Sequence, residues 1–254
     1  MLIQYASDLH LEFPENRKFL KLNPLQPTGD ILLLAGDIVL FAVMNDHADF
    51  FSYVSDHFHT TYWIPGNHEY YYSDAGKKSG VIHESIRSNV FLVNNVAVEH
   101  ASVKFIFSTL WSKIDPANQW LIESRVSDFH VIKFNGKRFT TPDFNKLHEE
   151  DLKFITAELQ SASKLKTVMV THHVPTLMNY PAKYKGDALN EAFAVELSGL
   201  IEDYGPDYWI YGHHHSNIPD FSIGSTRLLT NQLGYVKYKE HHEFSAMNTI
   251  SIDY

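Results

Sequence analysis

Short apolar runs rich in β-branched and aromatic residues recur along the chain, separated by stretches with helical spacing. Leu2–Ser7, Ile31–Ala35, Thr61–Ile64, Thr167–Val170 and Tyr208–Tyr211 are apolar at most positions, which predicts strands buried on both faces. The stretch "MNDHADFFSYVSDHF" predicts a helix capped by Asn45. Thr141-Pro142 opens a second helix over 142–162, with Leu152, Ile155 and Leu159 on one face. A third, around Leu189–Tyr204, stops at Gly205-Pro206. Val90–Asn94, Val96–His100, Val103–Ser108, Thr226–Thr230 and Thr249–Asp253 are spaced closely enough to predict a second, more antiparallel sheet. Strands alternating with helices imply an α/β fold.

With 254 residues and 44% hydrophobic content, the chain suits a single domain over 1–254. Residues 111–142 break the strand–helix rhythm and are rich in Trp, Phe and cations. They read either as a surface excursion or as a lid or substrate insert, with Arg125 as a phosphate clamp and Trp120 or His130 as walls.

A formal charge of −9 without any Lys/Arg-rich run argues against extended nucleic-acid binding. The absence of cysteine excludes disulfides, thiolate metal sites and a cysteine nucleophile. The N-terminus lacks a basic segment followed by a long apolar one, and "ILLLAGDIVLFAV" is short and interrupted by Asp37. No membrane span is expected, and the expected location is cytoplasmic.

The chemistry lies immediately after the first five runs: Asp8-Leu-His10, Gly36-Asp37, Gly66-Asn67-His68-Glu69, His172-His173 and Gly212-His213-His214-His215. Each places a metal-capable side chain just past a strand. In α/β sheets the C-terminal strand ends form the ligand crevice, so five distant segments can meet at one edge. An Asp at a strand end is ordinarily a turn or cap, and a lone His a hydrogen-bonded structural residue. The five together are a different signal. Carboxylates, imidazoles and an amide oxygen suit Mn, Fe or Zn. In an extended turn residues i and i+2 point the same way, which would aim His213 and His215 at the site and leave His214 elsewhere.

The ordered set D-x-H, GD, GNHE, H and GHxH resembles the calcineurin-like metallophosphoesterase superfamily over residues 8–215. The resemblance implies a four-layer α/β/β/α sandwich: two mixed sheets flanked by helices, with a dinuclear metal site at the C-terminal strand ends. It implies that Asp8, His10, Asp37 and His215 hold one ion, and that Asp37, Asn67, His172 and His213 hold the other. Two divalent transition-metal ions are then the expected cofactors, Mn foremost, with Fe or Zn sharing the same donors. In the family His68 is not a ligand but supports the leaving oxygen beside the phosphate. Glu69 would orient His68 or a ligand, His173 and His214 would be neighbours of the ligands, and Asn231 would reach the site or shape a turn.

The expected function is metal-dependent hydrolysis of a small phosphomonoester or phosphodiester by a metal-bridging hydroxide. A nuclease with the same metal site and a non-catalytic metal-binding interaction module are the alternatives. The chain departs from the protein phosphatase pattern GDxxDRG, since "IVLFA" comes after Asp37. That branch's carboxylate behind the catalytic histidine is therefore missing, and the partner of His68 is left open.

Overall fold

The computed structural model describes residues 1–100, 102–161 and 163–252. Among these, the strands are β1 (Leu2–Ala6), β2 (Ile31–Ala35), β3 (Thr60–Ile64), β4 (Ile82–Arg87), β5 (Val90–Asn94), β6 (Val96–His100), β7 (Val103–Phe107), β8 (Lys133–Phe134), β9 (Lys137–Arg138), β10 (Lys166–Val170), β11 (Tyr208–Tyr211), β12 (Phe221–Ile223), β13 (Thr226–Thr230) and β14 (Thr249–Ser251). The α-helices are α1 (Pro14–Leu22), α2 (Ala48–His57), α3 (Gln119–Arg125), α4 (Asp128–Val131), α5 (Thr141–Gln160) and α6 (Ser198–Tyr204).

Two sheets carry the fold, in the orders β14-β1-β2-β3-β5-β4 and β12-β13-β11-β10-β7-β6. The pairs β1–β2, β2–β3, β3–β5, β7–β10, β10–β11 and β11–β13 are parallel, and the outer pairs are antiparallel. Alternation along β2 shows why its whole sequence is apolar. Ile31 and Leu33 face Phe105, Phe107 and Val170 of the other sheet. Leu32 and Leu34 face Leu20 of α1 and Phe51 and Val54 of α2. The second sheet buries its outer side against Ile155 of α5 and Ile201 of α6. The four-layer α/β/β/α sandwich of two mixed sheets is thus the architecture of this chain.

Several local expectations change. The later strands do not form a more antiparallel second sheet: β5 and β14 join the first sheet, while β7 and β13 extend a parallel ladder in the second. Close spacing in sequence recorded short connections, not shared sheets. The helix expected over Leu189–Tyr204 is broken into a 3-10 turn at Ala188–Ala192 and α6, because Ala194 leaves it to bridge Val174. Asn45 lies within a 3-10 helix over Phe41–His47, and α2 begins only at Ala48. The long helix α5 has the expected start, with Thr140 and Asp143 forming a capping box; residue 162 of the expected span, like residue 253 of the last strand, lies outside the described residues.

Residues 111–142 hold α3, α4 and the β8–β9 hairpin around an aromatic cluster that includes Trp111, Phe129, Phe139 and Phe144. This excursion is packed, not trailing. It places Arg125 and Asp128 on the rim of a cleft that also contains Asp37, Asn67 and His213.

Candidate functional site

The carboxyl ends of β1, β2, β3, β10 and β11 meet along one edge of the sandwich, and each strand leads into a tightly turned loop. Asp8, His10, Asp37, His213 and His215 all adopt left-handed backbone conformations, with φ of 56°, 48°, 55°, 81° and 48°. Such residues cost on the order of 1–3 kcal/mol each and persist where the surroundings over-determine them. Here buried hydrogen bonds do so: His10 N donates to Asp37 O at 2.9 Å, and His213 N to Asp8 Oδ1 at 3.1 Å. Glu69 fastens the Asp37 loop, its carboxylate accepting from the amides of Asp37, Ile38 and Gly66 at 3.0, 2.7 and 2.6 Å. It braces a backbone and makes no hydrogen bond to the His68 ring, contrary to one of its two expected roles. Glycine is required at 36 and 66, where a Cβ would run into the His172 ring.

Three groups of donor atoms result among the described residues: one is His10, Glu12 and His68, and the other two share a carboxylate. The donors of Asp8, His10, Asp37 and His215 lie within 4.8 Å of one another, as do those of Asp37, His172 and His213. Asp37 belongs to both. Its Oδ2 faces His10 Nε2 at 3.8 Å and its Oδ1 faces His172 Nε2 at 3.3 Å. Asn67 Oδ1 completes the second group at 3.3 Å from His172 Nε2. The amide of Asn67 cannot turn over freely, since its Nδ2 donates to Asp128 Oδ1 at 2.8 Å.

The remaining nitrogen of each imidazole is already used. His10 Nδ1 donates to Glu12 Oε1 at 3.2 Å and His215 Nδ1 to Glu240 Oε2 at 2.8 Å. His172 Nδ1 donates to the carbonyl of Ala35 at 2.9 Å, and His213 Nε2 to that of Ala192 at 3.3 Å. This fixes which nitrogen each ring presents inward, as is usual for metal-binding histidines. His213 presents Nδ1; the other three present Nε2.

The inward-facing atoms demand positive charge. His10 Nε2 and His215 Nε2 stand 3.0 Å apart, and His172 Nε2 stands 3.1 Å from His213 Nδ1. Each contact needs a proton or a cation between two lone pairs. Burial opposes charging His215, but Asp8 and Glu240 outweigh it and raise its pKa to about 10. Burial likewise opposes His172, and Asp37 and Asp8 raise it to about 9. One held proton therefore sits in each of these two groups, where a cation would serve the same carboxylates. The donor set fits divalent metal ions.

His68 belongs to neither of the two groups that share Asp37; it is grouped with His10 and Glu12 beside them. Its Nδ1 lies 3.2 Å from the same Glu12 oxygen that serves His10, and its Nε2 lies 3.2 Å from the Tyr235 hydroxyl. Its ring stacks on Tyr71 at 4.0 Å. Burial works against protonation, but Asp37, Glu12 and Asp128 outweigh it and raise the pKa above the ordinary histidine value. The carboxylate behind His68, missing from the Asp37 loop, comes from the β1 loop instead. Glu12 continues the two-residue spacing of Asp8 and His10, so the sequence did carry a signal for it. Glu240 and Tyr235 carried no such signal.

Asp37, Asn67, His68 and His213 line one end of a cleft of about 360 Å³, which continues past Arg125, Tyr71, Tyr180 and Tyr184. Of the three consecutive tyrosines at 70–72, Tyr70 is buried, Tyr72 is exposed and only Tyr71 reaches this cleft. Trp120 is 82% exposed, and neither it nor His130 forms a wall. Asn231 does not reach the cleft; its side chain ties β1 to the C-terminal segment through Tyr5 O and Ser245 O at 2.8 and 2.9 Å. His173 is enclosed by Trp111, Phe144 and His213. His214 is in neither donor group and sets its Nδ1 against Gln232. The loop that carries it is not extended, since His213 and His215 both have positive φ. The separation of His214 from its neighbours is made by those two turns and not by strand alternation.

The calcineurin-like phosphoesterase profile matches residues 1–217. The chain belongs to that family. An uncharacterized protein of Acanthamoeba polyphaga mimivirus is 31% identical over 281 residues, covering 99% of this chain and 97% of that one. Two solved structures share the fold. Phosphopantetheinyl hydrolase (PptH) from Mycobacterium tuberculosis matches with a TM-score of 0.73 at 16% identity, over 99% of this chain and 96% of that one. A dimetal phosphatase from Danio rerio matches with a TM-score of 0.50 at 12% identity, over 91% and 87%. As a calcineurin-like phosphoesterase, this protein is a metal-dependent hydrolase of phosphoesters. Among the described residues no helix is long and apolar enough to cross a membrane.

Proposed function

We propose that this phosphoesterase works with two ions, held by Asp8, His10, Asp37 and His215 on one side and by Asp37, Asn67, His172 and His213 on the other. The observation that carries the reading is Asp37, whose two oxygens face separate groups of buried donors. When bound, two such ions clamp an in-line displacement at phosphorus and lower the pKa of a water. Mn is the expected metal, with Fe or Zn compatible with the same atoms.

The chain's own residues supply the rest. Glu12 holds the Nδ1 side of His68, leaving Nε2 as the edge from which a proton reaches the leaving oxygen. Tyr235 occupies that edge at 3.2 Å in this structure, and the leaving oxygen would take its place. Burial raises the Tyr235 pKa far above the ordinary phenol value, so it acts as a neutral hydrogen-bonding group and not as a phenolate.

The cleft suits a small substrate, a phosphomonoester or a phosphodiester with a compact organic arm. Among the described residues Arg125 is the one Lys or Arg lining it, which does not provide the basic track an extended nucleic acid needs. The insert at 111–142 forms the wall that carries Arg125, and we assign it to substrate binding within a single domain. The test is a panel of phosphomonoesters, phosphodiesters and cyclic nucleotides, assayed with Mn-loaded and metal-stripped protein. Turnover of a small ester only when loaded is expected; turnover that survives stripping would exclude the two-ion reading.

A further inference from the structure

His214 belongs to neither donor group, yet it lines the cleft from the loop that contributes His213 to one group and His215 to the other. A chain of hydrogen bonds fixes its tautomer. Thr230 Oγ1 donates to the Tyr211 carbonyl at 3.0 Å, so it accepts from Gln232 Nε2 at 2.6 Å. Gln232 Oε1 accepts the His215 amide at 2.7 Å, which sets the orientation of that side-chain amide. The other hydrogen on Gln232 Nε2 has His214 Nδ1 at 2.9 Å as its nearer acceptor and the Ser216 carbonyl at 3.3 Å as its farther one. The amide of Ser216 approaches the same nitrogen at 3.4 Å. Nδ1 also lies 3.2 Å from Gln232 Oε1, but that oxygen already takes the His215 amide at 2.7 Å, and two N–H groups approach Nδ1; the shorter contact with Gln232 Nε2 makes Nδ1 the acceptor and leaves the ring hydrogen on Nε2.

That N–H is buried and meets no acceptor among the described residues. The residue as a whole is 5% exposed. A buried donor without a partner is costly, and one in a native structure calls for an explanation. His173 also has nitrogens without partners, but it is enclosed by Trp111 and Phe144 and is absent from the cleft wall. His214 differs in lying on that wall, directly between two residues whose rings face the donor groups.

We propose that His214 Nε2–H is a substrate-binding donor that takes a non-bridging oxygen of the phosphoester. The proposal rests on the two-ion reading, which puts the phosphoryl group at this end of the cleft. An anion carrying several acceptor oxygens is the ligand class such a donor fits. A neutral N–H adds a directed bond without adding charge beside the two groups. Arg125, carried on the insert, is left to meet more distant parts of the substrate.

The test compares His214→Phe, which keeps an aromatic ring and removes the donor, with His214→Gln, which keeps a side-chain N–H. Metal content, thermal melting, binding of inorganic phosphate by calorimetry, and kcat and KM on bis(4-nitrophenyl) phosphate are measured on the Mn-loaded protein. Both variants are expected to retain their ions. His214→Phe should bind phosphate about tenfold or more weakly, the usual loss for a hydrogen bond to a charged group. His214→Gln should recover most of that loss. Unchanged phosphate binding in a metal-replete His214→Phe overturns the assignment, as does equal weakening in both variants. Loss of ions in His214→Phe overturns it too and makes His214 a support for its neighbours. If the unsubstituted, metal-replete protein neither binds phosphate nor hydrolyses the ester, the two-ion reading itself fails.

Discussion

The two donor groups share Asp37 but are backed by different chemistry. In the first, Glu12 stands behind His10 and Glu240 behind His215. In the second, the carbonyls of Ala35 and Ala192 stand behind His172 and His213. A carboxylate makes the imidazole it accepts from a better electron donor and adds negative charge at short range; a carbonyl mainly sets direction. The first group also has its own carboxylate, Asp8, whereas the second has only its share of Asp37 plus the neutral amide of Asn67. The first position should therefore hold its ion more tightly, and the second should be the more labile one. Asp37, Asn67 and His213 line the cleft, as does His215 of the first group, whereas Asp8, His10 and His172 do not.

The largest effect breaks the comparison altogether. Asp37→Asn removes the carboxylate both groups use, so elemental analysis should find both ions depleted and turnover should fall to that of stripped protein. Full occupancy of either position in this variant would show that Asp37 does not bridge. Next comes His68→Ala, expected to keep both ions and lose turnover by on the order of 10²–10⁴-fold, the range of a positioned proton donor. The loss should be greatest for alkyl esters and smallest for nitrophenyl esters; a uniform loss across a leaving-group series would mean His68 binds phosphate and does not donate a proton.

A smaller substitution sharpens the contrast. Glu240→Gln keeps an acceptor for the Tyr235 amide but removes the charge behind His215. About 10–100-fold weaker affinity is expected at the first position alone, as for other partners behind a ligand. Competition with a chelator would show this as two release steps drawing together, whereas in the parent protein the second position should empty first.

Proton release offers an independent measure. In the ion-free protein His215 keeps its proton until about pH 10 and His172 until about pH 9. These are raised pKa values, so the protons are present at neutral pH and each ion must displace one. Affinity should accordingly rise with pH and level off near 9 for the second position and near 10 for the first. Calorimetry in buffers of different ionisation enthalpy should count about two protons released per chain. The smallest effect is that of Arg125→Ala, which should leave both ions in place. It should raise KM roughly twofold to fivefold, the size of an exposed ion pair.

The strand-end motifs were legible because their chemistry is local. A buried strand announces itself by composition, and the ligand just past it is fixed by a few residues of spacing. Asp8, His10, Asp37, Asn67, His172, His213 and His215 were all available from this rule and the family resemblance, and the structure brings their donor atoms together. The partners behind them were not. Glu240 lies 25 residues from His215 in a segment without a strand signal. Carbonyls such as those of Ala35 and Ala192 have no side-chain signature at all.

Taken alone, the sequence determined the alternation of buried strands and helices, the capping box of α5, and the set of side chains able to meet at the strand ends. Tertiary structure decided which sheet each later strand joined, since pairing depends on long-range packing and not on spacing. It also broke the 189–204 helix, because bridging Val174 was available to Ala194 only once β10 was in place. Above all it set the direction of each imidazole: a ring's orientation depends on what accepts its outer hydrogen, and that acceptor is chosen by contacts between distant segments.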